Sequence, residues 1–160
     1  MASAGNHLYK QGIINMLSGN IDITGTFTAA LINGTYAQQA DVGDSLNTSS
    51  FYDTTMGTND GGTGGTQIGN QVDLTVVTAS DGLGIGVAFD AADTVFTSVG
   101  GSGEVVKGIV VFQSGTQGST DYLLSYWDND GSAISITTNG GDITVQWSAG
   151  GLFMISGGTS

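Results

Sequence analysis

In several segments from Val72 onward, bulky apolar side chains return at every second position, and this period constrains the fold more than any other property of the sequence. Val72, Leu74 and Val76 alternate with Asp73, Thr75 and Val77, and Leu83, Ile85, Val87 and Phe89 alternate with Gly84, Gly86 and Ala88. Ile143, Val145 and Trp147 alternate with Thr144 and Gln146. Successive side chains of a strand point to opposite faces, so the pattern is that of strands with one face on a core. Ile134 and Ile136 mark a strand before Asn139-Gly140-Gly141. Asn and Gly tolerate the positive φ of a tight turn, which predicts a hairpin pairing 134–137 with 143–147.

Other segments read the same way. Gly25 to Ile32 places Phe27, Ala29 and Leu31 on one face and ends at Asn33-Gly34. Thr94 to Thr97 is a short strand, and Val105 to Phe112 is nearly continuous in apolar residues, as a central strand buried on both faces would be. A polar loop from Gln113 to Ser119 precedes a strand from Tyr122 to Trp127, and Leu152 to Ile155 supplies the last. The chain has 160 residues, 28 of them glycine, no proline and a 39% hydrophobic share. That share is too high for a disordered chain, and the wealth of β-branched residues disfavours helix. The expectation is one all-β domain over residues 1–160, an antiparallel β-sandwich of jelly-roll or immunoglobulin-like type with eight or nine strands.

One helix is predicted near the start, within residues 1–20. Leu8, Tyr9, Ile13, Met16 and Leu17 recur at helical spacing, with Asn6 as N-cap and Gly19 as the stop. Such a helix covers the open end of its own sheet or, in a functional reading, docks on a neighbouring subunit through Leu8, Tyr9 and Ile13. Between residues 36 and 69 the period fades into an acidic, glycine-rich loop. Loops this long in a compact domain are usually functional or mobile. Phe51, Tyr52 and Met56 inside it are candidates for an intersubunit contact.

Charge narrows the possible partners. Fourteen acidic residues face two basic ones, Lys10 and Lys107, for a net charge of -12. Such a chain repels phosphate backbones and anionic membranes, so neither nucleic acid nor membrane is an expected partner. Two cations cannot neutralise the acids internally, so most must sit in water, meet a basic partner or hold metal. The absence of cysteine excludes thiol chemistry and a Cys-based zinc site. Neither a signal peptide nor a stretch long enough to span a bilayer is apparent, and the chain reads as soluble.

Catalytic groups are scarce. His7 is the single histidine and lies near one end, so the hydroxyl residues lack a base for a Ser-His-Asp arrangement. Asp90 with Asp93, or Asp128 with Asp130, could form carboxylate pairs, but nothing distinguishes them, and no catalytic residue, cofactor or enzymatic activity is expected. Gly82, Gly84 and Gly86 do not make a dinucleotide fingerprint, because Val87 replaces its last glycine and no helix is expected next. Asn33-Gly34-Thr35 and Asn47-Thr48-Ser49 match the glycosylation pattern, as chance would allow in a chain of this composition. Asp128-Asn129-Asp130-Gly131-Ser132 has the oxygens of a calcium loop, but its glycine is fourth instead of sixth, and a turn explains it more simply. With Tyr126 and Trp127 alongside, that loop keeps open a calcium-dependent glycan-binding module as an alternative function.

The segments Phe89 to Thr97, Glu104 to Phe112, Tyr122 to Asp128 and Asn139 to Trp147, together with the Leu8 to Gly19 segment, resemble a recurring class of small virion structural proteins of tailed bacteriophages. The resemblance lies in order and spacing, and the 36–69 segment departs from it in being more acidic and glycine-rich. It implies a capsid decoration (cement) protein, made in the host cytoplasm and carried on the outer surface of the virion head. There it would clamp neighbouring subunits of the major capsid protein as a homo-oligomer, commonly a trimer. A tail, head-to-tail or spike subunit is the alternative within the same class.

Overall fold

The strand predicted to be central is the longest among the described residues. The computed structural model describes residues 7–33, 66–80, 86–101, 103–113, 121–127, 134–147 and 151–156. Val105–Gln113 (β7) is flanked on one side by Phe27–Asn33 (β2) and on the other by Tyr122–Trp127 (β8). Gln67–Asp73 (β3) lies outside β2, and His7–Leu8 (β1) lies outside β8, giving the order β1-β8-β7-β2-β3. Ile136–Thr137 (β9) also pairs with β7. Val76–Ser80 (β4), Gly86–Ala91 (β5) and Phe153–Ser156 (β11) form a three-stranded sheet, and Thr94–Phe96 (β6) with Ile143–Val145 (β10) form a two-stranded one. Every pairing is antiparallel.

Both faces of the main sheet are buried, which is why β2 and β7 lack polar alternation. On one face Phe27, Ala29, Leu31, Ile109, Val111 and Leu124 join Phe89, Ala91, Phe96, Val99 and Leu152 of the smaller sheets and their connections in one core. Phe27 meets Phe89 edge-to-face at 4.8 Å, and Phe89 stacks on Phe153 at 4.9 Å. On the other face Ala30, Ile32, Val110, Phe112, Leu123 and Tyr126 form a second cluster with Tyr9. Each large side chain so buried contributes roughly 1.5–3 kcal/mol, so these two clusters dominate the fold. Register shifts in β2/β3, β2/β7 and β7/β8 mark bulges, which bend a strand and increase its twist. The architecture is thus all-β, built of curled antiparallel sheets with one short helix.

That helix, Lys10–Leu17 (α1), starts later than its apolar spacing predicts. Leu8 is in β1, paired with Ser125, and Tyr9 is the N-cap, without a side-chain capping bond and with its N–H donated to the Leu124 carbonyl. Asn6 is therefore not the cap: pairing with β8 holds the chain extended through Leu8. The predicted stop at Gly19 is correct. Gly19 takes φ +77°, its N–H bonds to the Met16 carbonyl and that of Asn20 to the Asn15 carbonyl, the two bonds of a Schellman ending.

The predicted hairpin at Asn139-Gly140-Gly141 is not formed. β9 pairs with β7 and β10 with β6, so the two segments belong to different sheets. What the turn does instead is interlock with the glycine-rich stretches 98–101 and 103–104. Val99 N–H donates to the Gly141 carbonyl at 2.9 Å, Gly140 N–H to the Val99 carbonyl at 3.2 Å, and Thr138 N–H to the Glu104 carbonyl at 2.8 Å. Ser98 N–H is held by Asp142 Oδ1 at 2.9 Å. Residues 94–101 and 103–106 therefore run beside 136–145 from the two-stranded sheet into the main one, turning a corner with it. Ser98, Gly100, Gly103 and Gly140 all have positive φ, the conformation that absorbs the bend.

Four smaller expectations are also corrected. The alternation from Val72 to Val77 is not one strand, because β3 ends at Asp73 and β4 enters the other sheet at Val76, with Leu74 N–H bonded to the Phe27 carbonyl between them. β3 starts at Gln67, inside the predicted 36–69 loop. Gln113 ends β7, fully buried, instead of opening a polar loop. Counting the two-residue elements, the described residues contain eleven strands instead of eight or nine.

Candidate interaction surface

The helix faces the wrong way for an ordinary amphipathic element. Its inward side carries Gly12, Asn15 and the half-buried Met16, while its outward side carries Ile13, Ile14 and Leu17. Gly12 explains the arrangement. A Cβ at this position would stand 2.6 Å from the Leu123 carbonyl oxygen and 3.1 Å from that of Leu124, so the helix backbone rests directly on β8. That approach leaves no room for aliphatic side chains beneath α1, and they point outward. Leu17 is 85% exposed, Ile14 42% and Ile13 38%, and Ile23 just beyond the helix is 60% exposed. Residues three and four apart on a helix share a face, so Ile13, Ile14 and Leu17 form one stripe.

Of the residues predicted to dock, Ile13 is thus on the outer surface. Leu8 is half-buried against the chain's own core and Tyr9 is buried in the second cluster, so both serve the fold internally. Phe51, Tyr52 and Met56 lie outside the described residues. Ile14 was missed because the predicted helix, capped at Asn6 instead of Tyr9, began three residues early and took Leu8 and Tyr9 into its apolar face. The adjacent pair Ile13-Ile14 opposite Gly12 and Asn15 was the signal that could have found it.

Five of the carboxylates in the described residues accept hydrogen bonds from neutral groups. Asp22 Oδ1 accepts the Thr24 hydroxyl at 2.7 Å and the Thr24 N–H at 2.9 Å, which hold its carboxyl below the usual carboxylate range, the hydroxyl being the larger cause. Asp73 accepts the Thr28 hydroxyl, Asp90 the Ala91 N–H, Asp93 the Gln146 amide and Asp142 the Ser98 N–H. Lys107 Nζ donates to the Ser135 hydroxyl at 3.2 Å. Asp90 and Asp93 thus bond to different groups, Asp90 half-buried and Asp93 exposed. Among the described residues no three His, Cys, Asp or Glu side chains come together as metal ligands would, and Asp128 and Asp130 lie outside those residues.

The aromatic residues weighed for sugar binding have internal partners. Tyr126 is buried, with its ring over Gly108, where a Cβ would lie 2.4 Å from the phenol oxygen. Trp127 is half-buried, donates Nε1–H to the Ser125 hydroxyl at 2.9 Å and meets Trp147 edge-to-face at 6.0 Å. Trp147 in turn donates to the Thr94 hydroxyl at 3.0 Å. No protein-family model matches the chain, and no curated protein or solved structure matches it.

Proposed function

We propose that this chain is a structural subunit of a tailed-bacteriophage virion: a decoration protein that lies on the outside of the head and stabilises contacts between major capsid subunits. The observation that carries the reading is the uncompensated charge. A net charge of -12 rests on a β-sheet scaffold in which five carboxylates, Asp22, Asp73, Asp90, Asp93 and Asp142, bond to neutral hydroxyls and amides. Such a surface is repelled by packaged DNA and suits the water-facing side of a protein shell. The resemblance in segment order supplies the virion context, and the exposed aliphatic stripe on α1 supplies a surface able to bury area against protein. Cement of this kind works by repetition, with modest contacts at many symmetry-related places adding up. No residue is asked to make or break a bond.

Quantitative mass spectrometry of purified particles tests the proposal. A copy number in the hundreds per particle is expected for a decoration protein, and a few copies would reassign the chain to the tail or the head-to-tail connection. Heads lacking the protein should release their genome at lower temperature than complete heads. Absence of the chain from finished particles, or turnover of any substrate by the purified protein, would overturn the reading.

A further inference from the structure

We infer that Glu104 and Thr138 hold a calcium ion at the corner where the glycine-rich stretches interlock. The inference takes nothing from the decoration reading. What carries it is the Thr138 hydroxyl. Thr138 is 4% exposed, and its Oγ1 is shut off from water without a hydrogen-bond partner. Leaving a buried hydroxyl unmatched is costly, so an orphan of this kind points to a ligand that completes it. The space it faces lies beside a carboxylate. At Gly100, which has φ +43°, a Cβ would stand 3.0 Å from Thr138 Oγ1 and 3.3 Å from Glu104 Oε2. One point thus lies against two oxygens, one from each of the strands of chain that turn the corner. Thr138 N–H donates to the Glu104 carbonyl at 2.8 Å, which fixes the two residues face to face.

The chemistry of the cradle selects its occupant. Oxygen is the donor on both sides, one donor is a carboxylate, and the whole chain carries -12, so a hard cation is drawn to this point. Magnesium demands a near-ideal octahedron at about 2.0–2.1 Å, tighter than walls 3.0 and 3.3 Å from one point, whereas calcium accepts oxygens at about 2.3–2.6 Å in a flexible arrangement. The site differs from the three-residue clusters of His, Cys, Asp or Glu that are absent among the described residues, because a hydroxyl stands in for further carboxylates. Peptide carbonyls and water fill the remaining places. Gly101 and Gly103 are exposed, and a Cβ on either would meet nothing within 4 Å, so water has room on the outer side. With a single carboxylate, the dissociation constant should fall at the weak end of calcium sites, about 10⁻⁴–10⁻³ M.

Thermal unfolding of the full chain in chelator and in about 5 mM calcium chloride, with ionic strength matched by sodium chloride, tests this. At roughly ten times the dissociation constant, the Tm of the parent should rise by about 3–6 °C. Thr138→Val keeps every charge. It should melt no lower than the parent in chelator, where it removes the orphan, and gain nothing from calcium. Glu104→Gln should also gain nothing, while Asp93→Asn, which removes one exposed charge elsewhere, should gain as the parent does. The amide resonances of Gly100, Glu104 and Thr138 in the parent should shift saturably with calcium, a readout that needs no variant to fold. A parent whose Tm and resonances ignore calcium overturns the inference. So does a Thr138→Val variant that gains as the parent does, since the effect would then be diffuse attraction to the acidic surface. A Thr138→Val variant destabilised equally with and without calcium would assign the cradle to water, and an equal response to magnesium would remove the case for calcium; either result overturns the inference.

Discussion

The side-chain amide of Gln113 grips both backbone polar groups of Asp22, 91 residues away in the chain: Oε1 accepts the Asp22 N–H at 2.8 Å and Nε2 donates to the Asp22 carbonyl. Gln113 is completely buried, and Gly25 leaves the space for its amide, since a Cβ there would stand 2.5 Å from Nε2. The end of the central strand is thereby fastened to the turn that leads into β2. Replacing Gln113 by alanine removes the partner of the Asp22 N–H, leaves the Asp22 carbonyl to the Gly25 N–H alone and opens a cavity. A loss of about 2–4 kcal/mol is expected, read as a fall in the urea midpoint with little change in slope. An unchanged midpoint would show that the clamp does not operate in solution.

Gly12→Ala opposes intrinsic propensity to packing. In a free helix the change is favourable by about 1 kcal/mol. Here the methyl would press on the carbonyls of Leu123 and Leu124, both backbone atoms of a strand that cannot easily yield. We expect net destabilisation of about 1–3 kcal/mol, measured by thermal or denaturant unfolding. A variant more stable than the parent would mean that α1 does not lie this close to β8.

Trp147→Ala and Phe27→Ala should differ in size. Phe27 is fully buried where the main sheet meets β5, and its removal should cost about 3–5 kcal/mol. Trp147 is only half-buried, with one edge on Trp127 and its Nε1–H on Thr94, so about 2 kcal/mol is expected. Equal losses in parallel urea titrations would contradict this ranking of the two sites.

The Asp22 carboxyl should titrate below its ordinary value of 3.8, because the Thr24 hydroxyl and amide both donate to the ionised form. A depressed folded-state pKa means that this turn adds stability above the unfolded value and loses it as pH falls through the folded value. The relevant window is therefore acidic, below about pH 4. Thr24→Ala removes the larger of the two causes, and the Asp22 carboxyl resonance followed by NMR should then titrate at higher pH than in the parent. An identical titration in both proteins would show that the turn is open in solution.

The centre of this fold could be read because β7 and β8 are interior strands buried on both faces, which gives near-continuous apolar runs in place of alternation. β3 was faint for the opposite reason. It is an edge strand with Gly69, Asn70 and Gln71 exposed, so little in its composition distinguishes it from loop. The hairpin failed on a different point. Asn139-Gly140-Gly141 has the residues of a reversal, but turn chemistry does not say which segment the flanking strands will pair with, and residues 94–106 offered an equally alternating partner with glycines of its own. Gln113 could not be found because a buried amide and a solvated one are the same letter. The candidate surface was half visible: the aliphatic residues of α1 were evident, but their direction depended on how closely Gly12 approaches Leu123.

The corner that residues 94–101 and 103–106 share with 136–145 has a mechanical meaning. Where sheets meet only through interdigitated side chains, a sideways pull is resisted by packing, which slips gradually. Here peptide groups of Val99, Gly140, Gly141, Thr138 and Glu104 bind the two crossing chains across the bend itself. A load on one sheet is passed to the next through a row of backbone bonds stressed together, so the layers should yield at a threshold force instead of creeping.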